Sequence, residues 1–155
     1  MPAQPQRSEA LIELMLNGPF PSAGETMEGE EMVEMVTELL AVAAHPEYIT
    51  VMVDQTGHPG EYRGVEGFRE GLADWMSPYE RFQLRFDEVI PAGDDALVFL
   101  VRQIGVTKHD GVEVESRGAA VFWLKDGAIG RSGFYIDQRA ALKAAGLDPD
   151  RPSGE

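Results

Sequence analysis

The chain has 155 residues and 17.0 kDa, with 43% hydrophobic and 26% charged residues, which suits one domain with a real core. Its net charge of -14 argues against nucleic acid, whose phosphates need clustered Lys and Arg, and against an anionic membrane surface. With no cysteine, disulfides and thiolate catalysis are excluded, and with neither a leader pattern nor a membrane-length apolar run the chain is expected to be cytoplasmic.

Residues 1–7 are polar and proline-containing, and are expected to be loose. Ser8 is placed to cap a first helix with Leu11, Leu14 and Met15 on one face, stopped by Gly18 and Pro19. After a loop at 19–25, Met32, Met35, Val36, Leu39, Leu40 and Ala43 fall in helical spacing, which predicts a second helix over Thr26–Ala44. Its other face, Glu28, Glu31, Glu34 and Glu38, reads as a solvated acidic surface. His45-Pro46 ends it, because a residue before proline is pushed out of the helical region. Tyr48–Val53 is β-branched enough for a short strand, running into the loop Asp54–Gly60.

The remaining elements are organised around Gly60–Met76, a turn becoming an amphipathic helix with Val65, Phe68, Leu72 and Trp75 on one stripe. Arg81–Ile90 alternates Phe82, Leu84 and Phe86 with polar residues, a half-buried strand. Leu97–Thr107 is a longer strand, apolar on both faces. Val112–Lys125 and Ile129–Ile136 follow as a hairpin across Asp126-Gly127. Asp137 caps a last helix that packs Ala141, Leu142 and Ala145 inward and ends at Gly146. The expected organisation is an N-terminal helix and loop at 1–25, an α+β domain at 26–147 and a disordered tail at 148–155.

Four stretches stand out together: Tyr62–Phe68 before the Trp75-containing helix, Val89–Asp94, Val121–Gly127, and Phe134–Asp137 leading into Ala140–Leu147. They resemble the SnoaL-like branch of the nuclear transport factor 2-like superfamily, which includes ketosteroid isomerase, polyketide cyclases and limonene epoxide hydrolase. In order and spacing they cover about His45 to Leu147. The resemblance implies a cone: a strongly curved mixed sheet wrapped around helices, with a pocket at its open end.

Strand parity then nominates the pocket. On Val112–Lys125 we take Val112, Val114, Ser116, Gly118, Ala120 and Phe122 as inward, which leaves small residues and room for a ligand. The same reasoning turns Val98, Leu100, Arg102 and Ile104 inward on their strand, and Ser132, Phe134 and Ile136 on the last. The expected substrate-binding set is Tyr48, Tyr62, Phe68, Leu72, Trp75, Leu100, Ser116, Gly118, Ala120 and Phe134. Val121 and Trp123 are left on the outer face, where an apolar surface of two strands predicts a homodimer.

The relatives' catalytic sets are incomplete in this chain. The base segment of ketosteroid isomerase matches Val53-Asp54-Gln55, with Asp54 one residue out of register. The acidic donor falls at Ala120 or Val121, and no tyrosine lies in Glu9–Asn17. For limonene epoxide hydrolase, Arg102 matches, but its partner acid falls at Ile104 and the second acid at Phe134. Asp54, His58 and Arg102 therefore remain as catalytic candidates. An unperturbed histidine titrates near ~6.5, which would suit His58 to proton transfer, and Arg102 could stabilise an oxyanion. No metal or other cofactor is expected. Two classes stay open: a cofactor-independent isomerase, cyclase or hydratase acting on a small apolar substrate, and a non-catalytic module for an apolar ligand or a protein partner.

Overall fold

The computed structural model describes Met15, residues 24–53 and residues 59–150. Its strands are β1 (Thr26–Glu28), β2 (Ala44–Val53), β3 (Pro59–Arg63), β4 (Tyr79–Ala92), β5 (Ala96–Thr107), β6 (Glu113–Lys125) and β7 (Ala128–Tyr135). Its helices are α1 (Gly29–Ala43), α2 (Gly64–Met76) and α3 (Gln138–Ala144). The strands form one mixed sheet in the order β1-β4-β5-β6-β7-β2-β3, in which only β2 and β7 run parallel. The sheet curves around α1 and α2, giving the α+β cone.

Turn chemistry sets much of the register. At the β6–β7 hairpin, Asp126 and Gly127 both have positive φ (54° and 77°), the conformation that matches the twist of flanking strands. Lys125 then pairs with Ala128 across two residues. At the far end of β7, the Asp137 carboxylate accepts from the Arg139 backbone N–H at 3.0 Å and starts α3.

Two helix starts differ from expectation for the same reason, an edge strand preceding the helix. Thr26–Glu28 pairs with β4, Thr26 opposite Arg85 and Glu28 opposite Gln83, so α1 begins at Gly29. Glu28 is thus more than part of a solvated face. Its backbone N–H donates to Glu31 Oε1 at 3.2 Å, and its carboxylate accepts from Gln83 Nε2 at 2.7 Å. Pro59–Arg63, expected as a turn leading into the helix, likewise pairs with β2, and α2 begins at Gly64. Gly67 and Gly71 let α2 lie directly on β3. A Cβ at 67 would stand 2.8 Å from the Tyr62 carbonyl carbon, and one at 71 would stand 2.9 Å from Met52 Cε.

The sheet has a core on each face. The inner one joins Met32, Val36, Leu39 and Leu40 of α1 to Phe68 and Leu72 of α2, over Phe82, Leu84, Phe86, Leu97, Phe99, Val101 and Phe122. Met15, the described residue of the expected first helix, is fully buried there. Each such side chain contributes about 1.5–3 kcal/mol by leaving water. The outer core places Ile90, Val98, Ala119, Val121 and Tyr135 beneath Ala141 and Leu142 of α3. Val121, expected on a bare apolar surface, is therefore fully buried within its own chain. Trp123 is half-buried, with the Arg131 guanidinium 5.0 Å above its ring. Among the described residues no helix is long and apolar enough to cross a membrane.

Candidate functional site

Strand pairing decides which side chains share the interior with the helices. Leu97 lies opposite Phe122, Phe99 opposite Ala120, Val101 opposite Gly118 and Gln103 opposite Ser116. From Ser116 to Phe122 the inward set on β6 is thus the expected one, whereas Val112 and Val114, also expected inward, are exposed. On β5 the parity is reversed: the odd residues Leu97, Phe99, Val101 and Gln103 face inward. Leu100 and Arg102 face outward, Leu100 against the outer core. The earlier assignment fails because β5 is apolar on both faces, so alternation gave no sign of which face is inner.

The outward position removes Arg102 from the pocket. Its Nε lies 3.7 Å from Asp87 Oδ2 and 3.4 Å from Glu115 Oε2, without hydrogen-bond geometry to any group among the described residues. Asp54 and His58 lie outside the described residues. What is described is their frame: β2 ends at Val53, paired with Tyr135 of β7 and with Pro59, the first residue of β3. That is the sheet end from which β5 and β6 continue to Gln103 and Ser116.

Between the helices and the inner face lies a cavity of about 40 Å³. Met32 and Val36 of α1 line it, with Leu72 and Trp75 of α2 and Phe82, Leu84 and Phe86 of β4. Phe99, Val101 and Gln103 of β5, Ala119, Ala120 and Phe122 of β6, and Phe134 of β7 complete the wall. Among the described residues, no lining side chain titrates. The polar groups are the Trp75 indole N–H and the Gln103 amide, joined by a hydrogen bond from Nε1 to Oε1 of 3.0 Å.

Leu72, Trp75, Ala120 and Phe134, expected in the substrate-binding set, line this cavity; Phe68 stands just behind it, its ring 5.9 Å from that of Phe134. Tyr48 is elsewhere in the core. Its buried hydroxyl meets Thr50 Oγ1 at 2.7 Å and Ser132 Oγ at 2.5 Å, and burial pushes its pKa above the ordinary tyrosine value. Tyr62 lies against the Gly67–Gly71 face of α2, its hydroxyl donating to Asp74 Oδ2 at 3.5 Å. Burial and the Asp74 charge raise its pKa. Ser116 borders a separate surface hollow beside Arg117 and Arg139. Gly118 lies under the Gln103 amide, so the room its missing side chain leaves is already used.

The sequence reading missed α1, β4 and Gln103 as cavity wall. The signal for the last was present: Leu97, Phe99, Val101, Gln103 is an apolar odd-numbered run that ends in one amide.

A SnoaL-like domain model matches residues 26–131, more than half of the sequence. This chain belongs to the SnoaL-like domain family. Solved structures agree on the fold. A putative SnoaL-like polyketide cyclase from Jannaschia sp. CCS1 superposes with a TM-score of 0.58 at 16% identity, over 98% of this chain and 97% of that one. A phenazine biosynthesis-related protein from Pseudomonas aeruginosa gives 0.53 at 14% identity, over 99% and 94%. TerC, co-crystallised with polyporic acid, gives 0.55 at 20% identity, over 76% and 92%. No curated protein matches the chain.

Proposed function

We propose that this SnoaL-like domain binds an apolar, ring-bearing small molecule in the inner cavity. The observation that carries the reading is the described wall itself: hydrocarbon and aromatic side chains from two helices and four strands, with one amide and, among the described residues, no charge. As packed, the space holds roughly one or two waters. A ring enters by displacing the movable part of the wall, which is Met32, an adaptable thioether, and Trp75. The test is a titration of the chain with 1-tetralone, followed by tryptophan fluorescence and thermal stability. Saturable binding that Ala120→Leu weakens by filling the wall is the expected result. No saturable binding across a panel of apolar ring compounds would end this reading.

A catalytic version keeps Asp54 and His58, supported by the frame of the β2–β3 connection. Val53 and Pro59 end their strands on the side of the sheet where the cavity has its polar group, Gln103. Asp54→Asn and His58→Ala should then reduce turnover of an identified carbonyl substrate by about 10²–10⁴, whichever is the base. Arg102 has no part in this version, since it faces away from the cavity.

The homodimer proposed for the outer face takes a modified form. Val121 is covered by α3, so a partner would cover Trp123, Arg131 and the charged part of the face. Light scattering with Trp123→Arg tests it; a wild-type monomer at micromolar concentration rejects the dimer.

A further inference from the structure

β7 leaves the edge of β6 at the pair Ala119–Tyr135, and beyond that point a surface hollow opens toward α3. It measures about 470 Å³ and is lined by Ser116 and Arg117 of β6 and by Ile136, Asp137, Gln138 and Arg139. That volume falls within the roughly 300–1,000 Å³ usual for small-molecule sites. The chain fixes its frame: Gln138 Nε2 donates to the Gly118 carbonyl at 3.1 Å, and Asp137 Oδ1 accepts from the Arg139 backbone N–H at 3.0 Å. Arg117 has no hydrogen bond or ion pair among the described residues, because Glu115 on the same strand face lies against Arg102 at 3.4 Å. Arg102 stands directly opposite Arg117 on β5, its Nε buried without an acceptor. Two guanidinium groups side by side repel each other, and their spare donors call for an anion. The other wall shows what such a group accepts. Arg139 Nη1 donates to the carboxylate of Asp150, which is held in place by its own backbone N–H on Asp148 Oδ1 at 2.9 Å.

We infer that this hollow binds a small organic oxyanion, a carboxylic acid or a phosphate ester, between Arg117 and Arg139. Each planar guanidinium presents parallel N–H donors that match two oxygens of such a group. The Ser116 hydroxyl supplies a further donor, and Ile136 gives the hydrocarbon part of the ligand an apolar rest. Asp137 is the lining group that opposes an anion, and its Oδ1 is already engaged by the Arg139 backbone. Asp150 is the competitor: its carboxylate leaves Arg139 when the ligand arrives, which keeps the affinity modest. The site is independent of the inner cavity, since Arg117 points to the outer face of β6.

The experiment titrates the full chain with citrate and with pyrophosphate at neutral pH and low salt, followed by calorimetry. Saturable binding of at least one is expected, and it needs a local site, because a chain of net charge -14 repels anions in general. Tighter citrate binding identifies a carboxylate as the group recognised, and tighter pyrophosphate binding a phosphate. Arg117→Gln and Arg139→Gln should each weaken binding roughly 3- to 10-fold, a charge-assisted hydrogen bond reduced by exposure. Asp150→Asn removes the competing charge and should tighten binding roughly 2- to 5-fold. Arg69→Gln, which removes an equal charge from α2 on the other side of the sheet, should leave affinity unchanged. No saturable binding of either probe to wild type or Asp150→Asn overturns the inference. So does binding that survives both Arg117→Gln and Arg139→Gln, or a loss in Arg69→Gln as large as theirs.

Discussion

The inner and outer faces of the sheet are built from the same long strands and diverge toward one end. Along β5 the inner residues stay apolar through Leu97, Phe99 and Val101 and end in Gln103, which Trp75 covers. The outer residues are apolar through Val98 and Leu100, where α3 covers the sheet, and turn charged at Arg102. There Arg85, Arg102 and Arg117 stand directly opposite one another on β4, β5 and β6. Like charges in that arrangement repel, and Asp87 and Glu115 offset the repulsion from between them. The lesson is that the covering element, more than the strand's own alternation, decides what each face can carry. Helices cover the inner face far along the strand, whereas α3 is seven residues long and its cover is local.

The comparison is broken most severely from the inside. Phe122 is 2% exposed and packs edge-on against Phe99 and Phe134. Phe122→Ala should cost about 3–5 kcal/mol in urea unfolding, because the curved sheet and two helices cannot collapse onto the void. Leu142→Ala attacks the outer core through its cover and should cost about 2 kcal/mol, the low end for such a change, since a short helix can settle inward. A Leu142→Ala cost equal to that of Phe122→Ala would mean that the two cores are equally rigid, against the picture drawn here.

The fold was legible wherever chemistry was one-sided. Asp126-Gly127, the Asp137 cap and the alternation of Phe82, Leu84 and Phe86 each admit one reading, and strand and helix follow from them. The short edge strands were not legible. Thr26–Glu28 and Pro59–Arg63 owe their structure to β4 and β2, long-range pairings that leave no local periodicity. The site was legible in part for a related reason. Leu72 and Trp75 follow from a helical stripe with a polar opposite face, and Ala120 from a strand whose opposite face begins Glu113, Glu115, Arg117. The parity of β5 does not, because Val98 and Leu100 are as apolar as Leu97 and Phe99. The assignment of Val98 as inward and Val121 as outward was already inconsistent with strand pairing, which sets these two opposite each other on one face.

Tyr48 sharpens the comparison at the level of a buried polar group. Its hydroxyl serves both Thr50 and Ser132, each fully buried on the inner side. Tyr48→Phe removes that shared partner and should cost about 1–2 kcal/mol. The group also gives a signed pH effect. Burial raises the folded-state pKa above the ordinary value near ~10, so the folded state holds this proton more tightly than the unfolded chain. Its contribution is complete below about pH 10 and is lost as pH rises from there through the raised folded value. Stability measured against alkaline pH should therefore fall more steeply in wild type than in Tyr48→Phe. Equal slopes would show that Tyr48 is not the residue responsible.

The smallest expected effect lies on the charged outer face. Arg102 is 29% exposed, and its carboxylate partners Asp87 and Glu115 are 28% and 49% exposed, so water reaches all three side chains although the Arg102 Nε itself is buried. A pair in that setting gains little Coulomb energy, loses side-chain freedom and is screened by salt. Arg102→Gln should consequently change stability by less than about 1 kcal/mol, since it relieves repulsion from Arg85 and Arg117 while releasing the two acids. The cavity is the more telling readout. Arg102 stands on the far side of β5 from Val101 and Gln103, so affinity for 1-tetralone should be unaltered in Arg102→Gln. A tenfold loss of affinity with stability intact would mean that the guanidinium reaches the ligand, and would return β5 to the opposite parity.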